Sequence, residues 1–403
     1  MYRFNISAPG VVFLNGDPIP KYNQTAIAAG LNMRTKLTFS SVLPNAVKKN
    51  FIELNFPNIQ LHMKIPLLAY FHLFNIIKST NKDLTICREV RKFVSTLVYT
   101  GMYNSDNRDH FSSLQAFFSL LVLIAHRHSI NITTSFVVEI SSELPIGEGL
   151  GSSASFLVCL ATCFLRWSLL QKGISSYEFD SEERLRIMHY CSICEGFIFH
   201  SSSSISISVC IKGAIVIYGK TTEGLYVDWI YHDYPSIKIL LVCSNAKWKI
   251  VQNRKFDIIR HLYSFIQPIM NIIDELSKTF VEMLSNWKID QDMRKLFQNV
   301  DELEPSKLKD HYEKLLDLIL LNQGLLSALG ASHPFVDIIC AIAQNYSLRG
   351  KMTYRGRCGY VFIVLPPNFM DNDLSRLIIE LESYDFSATV TNLCGKWNGV
   401  RVE

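Results

Sequence analysis

The sequence predicts an α+β fold built in two halves, residues 1–230 and residues 231–403. Three observations carry this. Period-two alternation and helical apolar spacing recur in both halves instead of segregating. A glycine-rich turn, "PIGEGLGSS" (145–153), joins a β-branched strand to a long apolar helix. The length of 403 residues, at 48% hydrophobic and 19% charged, allows two cores and excludes a disordered chain.

In chain order, "LNMRTKLTF" (31–39) alternates, with Leu31, Met33, Thr35, Leu37 and Phe39 on one face and Asn32, Arg34, Lys36 and Thr38 on the other. That pattern is a half-buried strand. "FIELNF" and "IQLHMKI" read as two strands joined by a turn at Pro57-Asn58. Residues 88–100 and 113–128 read as helices, and "TSFVVEIS" (134–141) as a strand rich in branched residues. Helical spacing resumes over Ser152–Gln171. "GAIVIYG" (213–219) and "IKILLVCS" (237–244) are strands. The second half is mostly helical: a long pattern from Phe256 to Trp287 that Pro268 should kink or break, then "KLLDLILLNQGLLSALG" with Gly330 placed to cap it. "YVFIVLP" (360–366), "NDLSRLIIELESY", "SATVTNL" and "GVRVE" read as strand, helix and two closing strands.

The net charge of +4 is too small to draw nucleic acid or acidic lipid as a partner. The apolar run Leu114–Ala125 is shorter than the roughly 20 residues of a membrane span and reads as a buried helix. "MYRFNISAPG" has no apolar leader, and the ten cysteines show no secreted framework, so the expected compartment is the cytoplasm, with no membrane. Cys191 and Cys194 form a lone CxxC without a second pair, which reads as helix-face or buried thiols.

The turn is where chemistry is expected. Gly147, Gly149 and Gly151 let the backbone bend and approach a ligand closely. The N–H groups opening the following helix favour an anion. Ser152 and Ser153 add hydroxyls for phosphate or magnesium. A Ser-capped strand-to-helix turn is the plain alternative, and the Walker lysine is missing.

"PIGEGLGSSA" resembles the central motif of the galactokinase, homoserine kinase, mevalonate kinase and phosphomevalonate kinase superfamily. Within it, "SAPGVVFLNGD" (7–17), "FPNIQL" (56–61), "LNQGLLSALGASHP" (321–334) and "KMTYRGRCG" (351–359) resemble the mevalonate kinases nearly end to end. The resemblance implies a two-domain small-molecule kinase: an N-terminal ribosomal-S5-like domain, a C-terminal ferredoxin-like domain, and a cleft between them. It implies ATP and Mg²⁺, a small alcohol such as mevalonate as acceptor, and the homodimer common in the family. Carried over by motif, the nucleotide contacts are Asn58, Ser142, Gly147, Glu148, Gly149, Leu150, Gly151, Ser152 and Ser153, and the metal ligands are Ser153 and Glu195.

Three departures bear on activity. The family's general-base aspartate follows its histidine by a few residues. Counting from His200 lands on Ile207, and no Asp or Glu lies between Glu195 and Glu223. The family's "APGK" lysine is Val11. The glycine-rich third motif carries Tyr354, Arg355 and Arg357. Asp17 and His200 are candidate catalytic substitutes; Arg355, Arg357, Lys247 and Lys249 are candidate sources of the missing positive charge. A general base is worth ~10²–10⁴ in rate and a preorganised charge ~10²–10³. The expectation is a mevalonate-kinase-like protein with impaired catalysis that retains ATP. The alternatives are a divergent active mevalonate kinase and a kinase of another alcohol.

Overall fold

The computed structural model describes residues 1–16, 25–41, 50–80, 82–98, 103–104, 106–199, 204–220, 226–231, 234–245, 263–298, 303–353, 359–394 and 399–403. Asp17, His200, Lys247, Lys249, Arg355 and Arg357 lie outside them.

Among the described residues twelve strands share one sheet. Its main path runs β4 (Leu61–Pro66), β3 (Phe51–Phe56), β5 (Phe136–Ser142), β2 (Ala26–Ser41), β11 (Ser387–Leu393), β8 (Ile237–Cys243), β10 (Tyr360–Val364) and β9 (Gly350–Met352). β1 (Arg3–Asn15) pairs with β2 along nearly its whole length and with β12 (Arg401–Val402); β6 (Ile215–Lys220) pairs with β2 and β7 (Tyr226–Tyr231). The two halves of the chain meet in the sheet where Leu393 faces Leu31.

Helices cover the first half: α1 (Leu67–Ile77), α2 (Asp83–Leu97), α3 (Arg108–His128), α4 (Ser152–Gln171), α5 (Ser181–Cys194) and α6 (Ser204–Lys212). One large apolar cluster unites them with β1–β5. Among the described residues α4 alone is long and apolar enough to cross a membrane, and 83% of its apolar window is buried inside the protein. It is the central core helix, packed on β1, β2, α3 and α5. The second half adds α7 (Tyr263–Gln298), α8 (Pro305–Ala328), α9 (Pro334–Asn345) and α10 (Asp371–Glu382) over two further apolar clusters.

Several expectations shift. The helices expected over 88–100 and 113–128 begin earlier, at Asp83 and Arg108, because Asn107 caps α3 by accepting from the Asp109 and His110 N–H groups. Pro268 does not break α7. It stands in the second turn, where a missing N–H removes a single early backbone bond. Gly330 does close α8, at φ +66°. α1, α5, α6 and α9 were not expected. α1 is apolar all round, and α6 is serines alternating with isoleucine and valine, so neither shows a one-sided stripe.

Arg34 corrects the strand pattern. Assigned to the polar face of β2, it is 5% exposed. Its Nε donates to Ser7 Oγ at 2.9 Å, and its Nη2 to the carbonyls of Ser7 at 3.0 Å and Gly399 at 2.7 Å. Burial brings its pKa down to about 10, so it stays charged at neutral pH. The Ser7 hydroxyl donates to Glu403 at 2.6 Å, which closes the network onto β12.

Candidate active site

β5 delivers the chain to the glycine-rich turn, and α4 leaves it. Gly147, Gly149 and Gly151 all take positive φ, at 76°, 80° and 76°. Gly151 is constrained twice. It is the residue before the first turn of α4, and a Cβ there would lie 2.9 Å from Val11 Cβ. The loop is pinned to β1, where the Val11 N–H donates to the Leu150 carbonyl at 2.9 Å. It is pinned to itself where the Gly147 N–H reaches Ser152 Oγ at 3.3 Å. Ser155 Oγ, one turn into α4, donates to the Ala8 carbonyl at 2.8 Å. The "SAPG" stretch is therefore the floor on which the loop rests.

Beside the loop lies a cavity of 370 Å³. Asn58, Ser142, Gly147, Ser152 and Ser153 all line it. Asn58 Nδ2 donates to the Ser142 carbonyl at 2.9 Å, and Asn58 Oδ1 accepts from the Ser142 N–H at 2.8 Å. Its amide thus ties the turn after β3 to the end of β5. The Ser142 hydroxyl sits 2.9 Å from that of Thr35 and accepts from the Leu144 N–H at 3.1 Å. Glu148, Gly149, Leu150 and Gly151 belong to the loop but not to the cavity wall. The Leu150 side chain is in the core, so only its backbone can face a ligand.

Sequence reasoning missed most of the wall. Phe56 and Phe156 meet edge-on at 5.6 Å, and Asp109, Ser112 and Ser113 come from the first turns of α3. Phe156 had a signal: it falls three residues after Ser153 and so shares a helix face with it. The α3 residues had none, because their approach is set by packing between distant segments.

Glu195 opens a turn of π-helix, Glu195–Phe199, that packs against α4 and α5; Ile198 and Phe199 reach the cavity. A charge on a solvated helix surface is excluded, since Glu195 is 6% exposed. Burial alone pushes its carboxyl up to about 8. No opposite charge compensates it among the described residues. A buried, uncompensated carboxylate suits a hard divalent cation, but Glu195 is not among the residues lining the cavity, where Ser152 and Ser153 stand. Ser153 on the cavity wall offers a hydroxyl that a divalent cation could take, and the N–H groups at the start of α4 fit phosphate. A bound Mg²⁺ would neutralise charge on the phosphates; the chain's own part is to hold that end still and keep water out.

The two positions where the family's lysine and base were sought are closed. Val11 is 1% exposed, with its side chain against Gly151. Ile207 is 0% exposed within α6. Among the described residues α6 contributes no acid.

The α+β fold places a glycine-rich loop at the opening of its central helix, the arrangement that the sequence resemblance to the GHMP kinases implies. Residues 117–213 match the family model described as the GHMP kinases N terminal domain. The chain is 27% identical to a mevalonate kinase of Candida albicans, over 98% of this chain and 89% of that one. It is 25% identical to a mevalonate kinase of Arabidopsis thaliana, over 98% of each. A crystal structure of mevalonate kinase superposes with a TM-score of 0.66 at 17% identity, covering 97% of this chain and 99% of that one. The chain is thus similar over nearly its whole length to mevalonate kinases, at modest identity, and shares their fold.

Proposed function

We propose that the protein binds Mg·ATP in the α3–α4 cavity and on the glycine-rich loop, and that its transfer of phosphoryl to mevalonate or a related small alcohol is impaired. The single observation that carries this reading is the sealing of Val11 and Ile207 in the core. Neither position can present a cation or a carboxylate to a reacting hydroxyl. Nucleotide retention is supported by the three left-handed glycines, the free start of α4 and the uncompensated Glu195. The division at residue 230 into a nucleotide-binding first domain and a second domain, and a cytoplasmic location, belong to the same proposal.

The intact loop favours a second reading, a divergent active mevalonate kinase. Phosphoryl transfer depends mainly on positioning and charge neutralisation, so it tolerates loss of a base better than most reactions. One experiment separates the two. Purified protein is incubated with Mg·ATP and mevalonate, ADP release is followed, and melting is recorded with and without nucleotide. Stabilisation by Mg·ATP with turnover below about 10⁻² s⁻¹ supports impaired catalysis; turnover near 1–100 s⁻¹, usual for kinases, overturns it.

A further inference from the structure

The β1–β2 register orders the site along one axis. Ala8 faces Thr35, which lines the cavity; Val11 faces Gly30 and touches the loop; Asn15 faces Ile27 at the far end. At ~3.3 Å per residue, Asn15 lies roughly 13 Å beyond Val11, on the side away from the nucleoside cavity. The acceptor of a terminal phosphoryl must approach from that side.

At this neck the two strands are cinched onto one turn of α7. The Thr25 N–H donates to Asp274 Oδ1 at 2.9 Å, and Ser277 Oγ donates to the Thr25 carbonyl at 2.9 Å. Asn15 Nδ2 donates to the same Ser277 Oγ at 3.2 Å. Asn15 and Ser277 are wholly buried. Gly16, at φ +81°, completes the fit, because a Cβ there would lie 2.3 Å from the Thr25 oxygen. Asp274 also pairs with Lys278 at 3.4 Å, which leaves its second oxygen on the solvent side.

We infer that Asp274 and Ser277 are positioning residues for the acceptor side of the site: they hold the β1–β2 neck, at Asn15 on one strand and Thr25 before the other, against the second half of the protein. The inference rests on the reading of the cavity and loop as a nucleotide site. A clamp at this place controls the acceptor end without touching the nucleotide end.

The test uses the full chain with Asp274→Ala, Ser277→Ala and the double substitution, with Asp274→Asn as the variant that keeps an acceptor oxygen for the Thr25 N–H. Amide exchange is followed in peptides covering residues 12–28, and calorimetry measures Mg·ATP and mevalonate separately. Each lost bond should speed exchange at the neck about five- to tenfold, and mevalonate affinity should fall by a similar factor. Mg·ATP affinity should stay within about twofold, and Asp274→Asn should lose much less at the neck than Asp274→Ala. Unchanged exchange at the neck in the double variant would overturn the clamp. So would an equal fall in both affinities, which is what general destabilisation produces. A wild-type chain that takes Mg·ATP but no mevalonate overturns the acceptor named above; the exchange arm then still decides the clamp.

Discussion

Glu195→Gln is the perturbation with the largest calculable effect. The carboxyl has an ordinary value of 4.5 and is pushed up to about 8 by burial. Below pH 4.5 it is protonated in both folded and unfolded chains and costs nothing. Between 4.5 and about 8 the unfolded chain ionises first, so metal-free stability falls as pH rises, and above about 8 the loss is complete. At about 1.4 kcal/mol per pH unit the full loss is on the order of 5 kcal/mol, of which roughly 3 kcal/mol is reached by pH 7. Glutamine imitates the protonated form, so the variant should melt with wild type near pH 4.5 and well above it at pH 8. Mg·ATP should reverse the order. It needs the ionised carboxylate, so its stabilisation of wild type should grow from pH 6 to pH 8 and be weak in Glu195→Gln at every pH. The assay is thermal melting across pH, with and without Mg·ATP. Parallel pH profiles for the two metal-free proteins would refute the reasoning, because an uncompensated buried carboxylate cannot be silent.

Further expectations follow from the loop, the cavity and the sheet. Gly151→Ala combines a left-handed backbone with a contact on Val11 and should cost about 1–3 kcal/mol and abolish stabilisation by nucleotide, both read by melting. Val11→Lys should bury an ammonium against the loop, lower stability by several kcal/mol and give no gain in ADP release over wild type. Phe156→Ala should weaken nucleotide binding roughly tenfold by calorimetry while leaving the fold intact, since Phe156 is only partly buried on the cavity wall. Arg34→Met should separate β12 from β1, seen as faster amide exchange in residues 399–403, because the anchor of Ser7 and Gly399 is gone.

Local patterns were legible wherever one segment carried its own signal. α4 begins and ends where its apolar spacing said it would, "SATVTNL" is β11, and Gly330 closes α8. α6 was hidden because an almost wholly buried helix has no polar face to set a period, and α1 because its exposed face, with Leu68, Phe71 and Ile76, is as apolar as its buried one. Arg34 was misassigned for a related reason: alternation says which face a side chain occupies, not that a neighbouring strand will supply carbonyls to bury its charge.

The sequence by itself determined the glycine-rich turn that opens α4, since glycines before a helix start set close backbone approach through purely local geometry. It also determined that the stretch between Glu195 and Glu223 holds no acid. Only the tertiary structure decided that Val11 and Ile207 are sealed from solvent, that Glu195 is buried with no counter-charge among the described residues, and that α3 supplies a wall of the cavity. Burial, and the electrostatics that follow from it, depend on which remote segments pack over a residue, and no window of the chain contains that information.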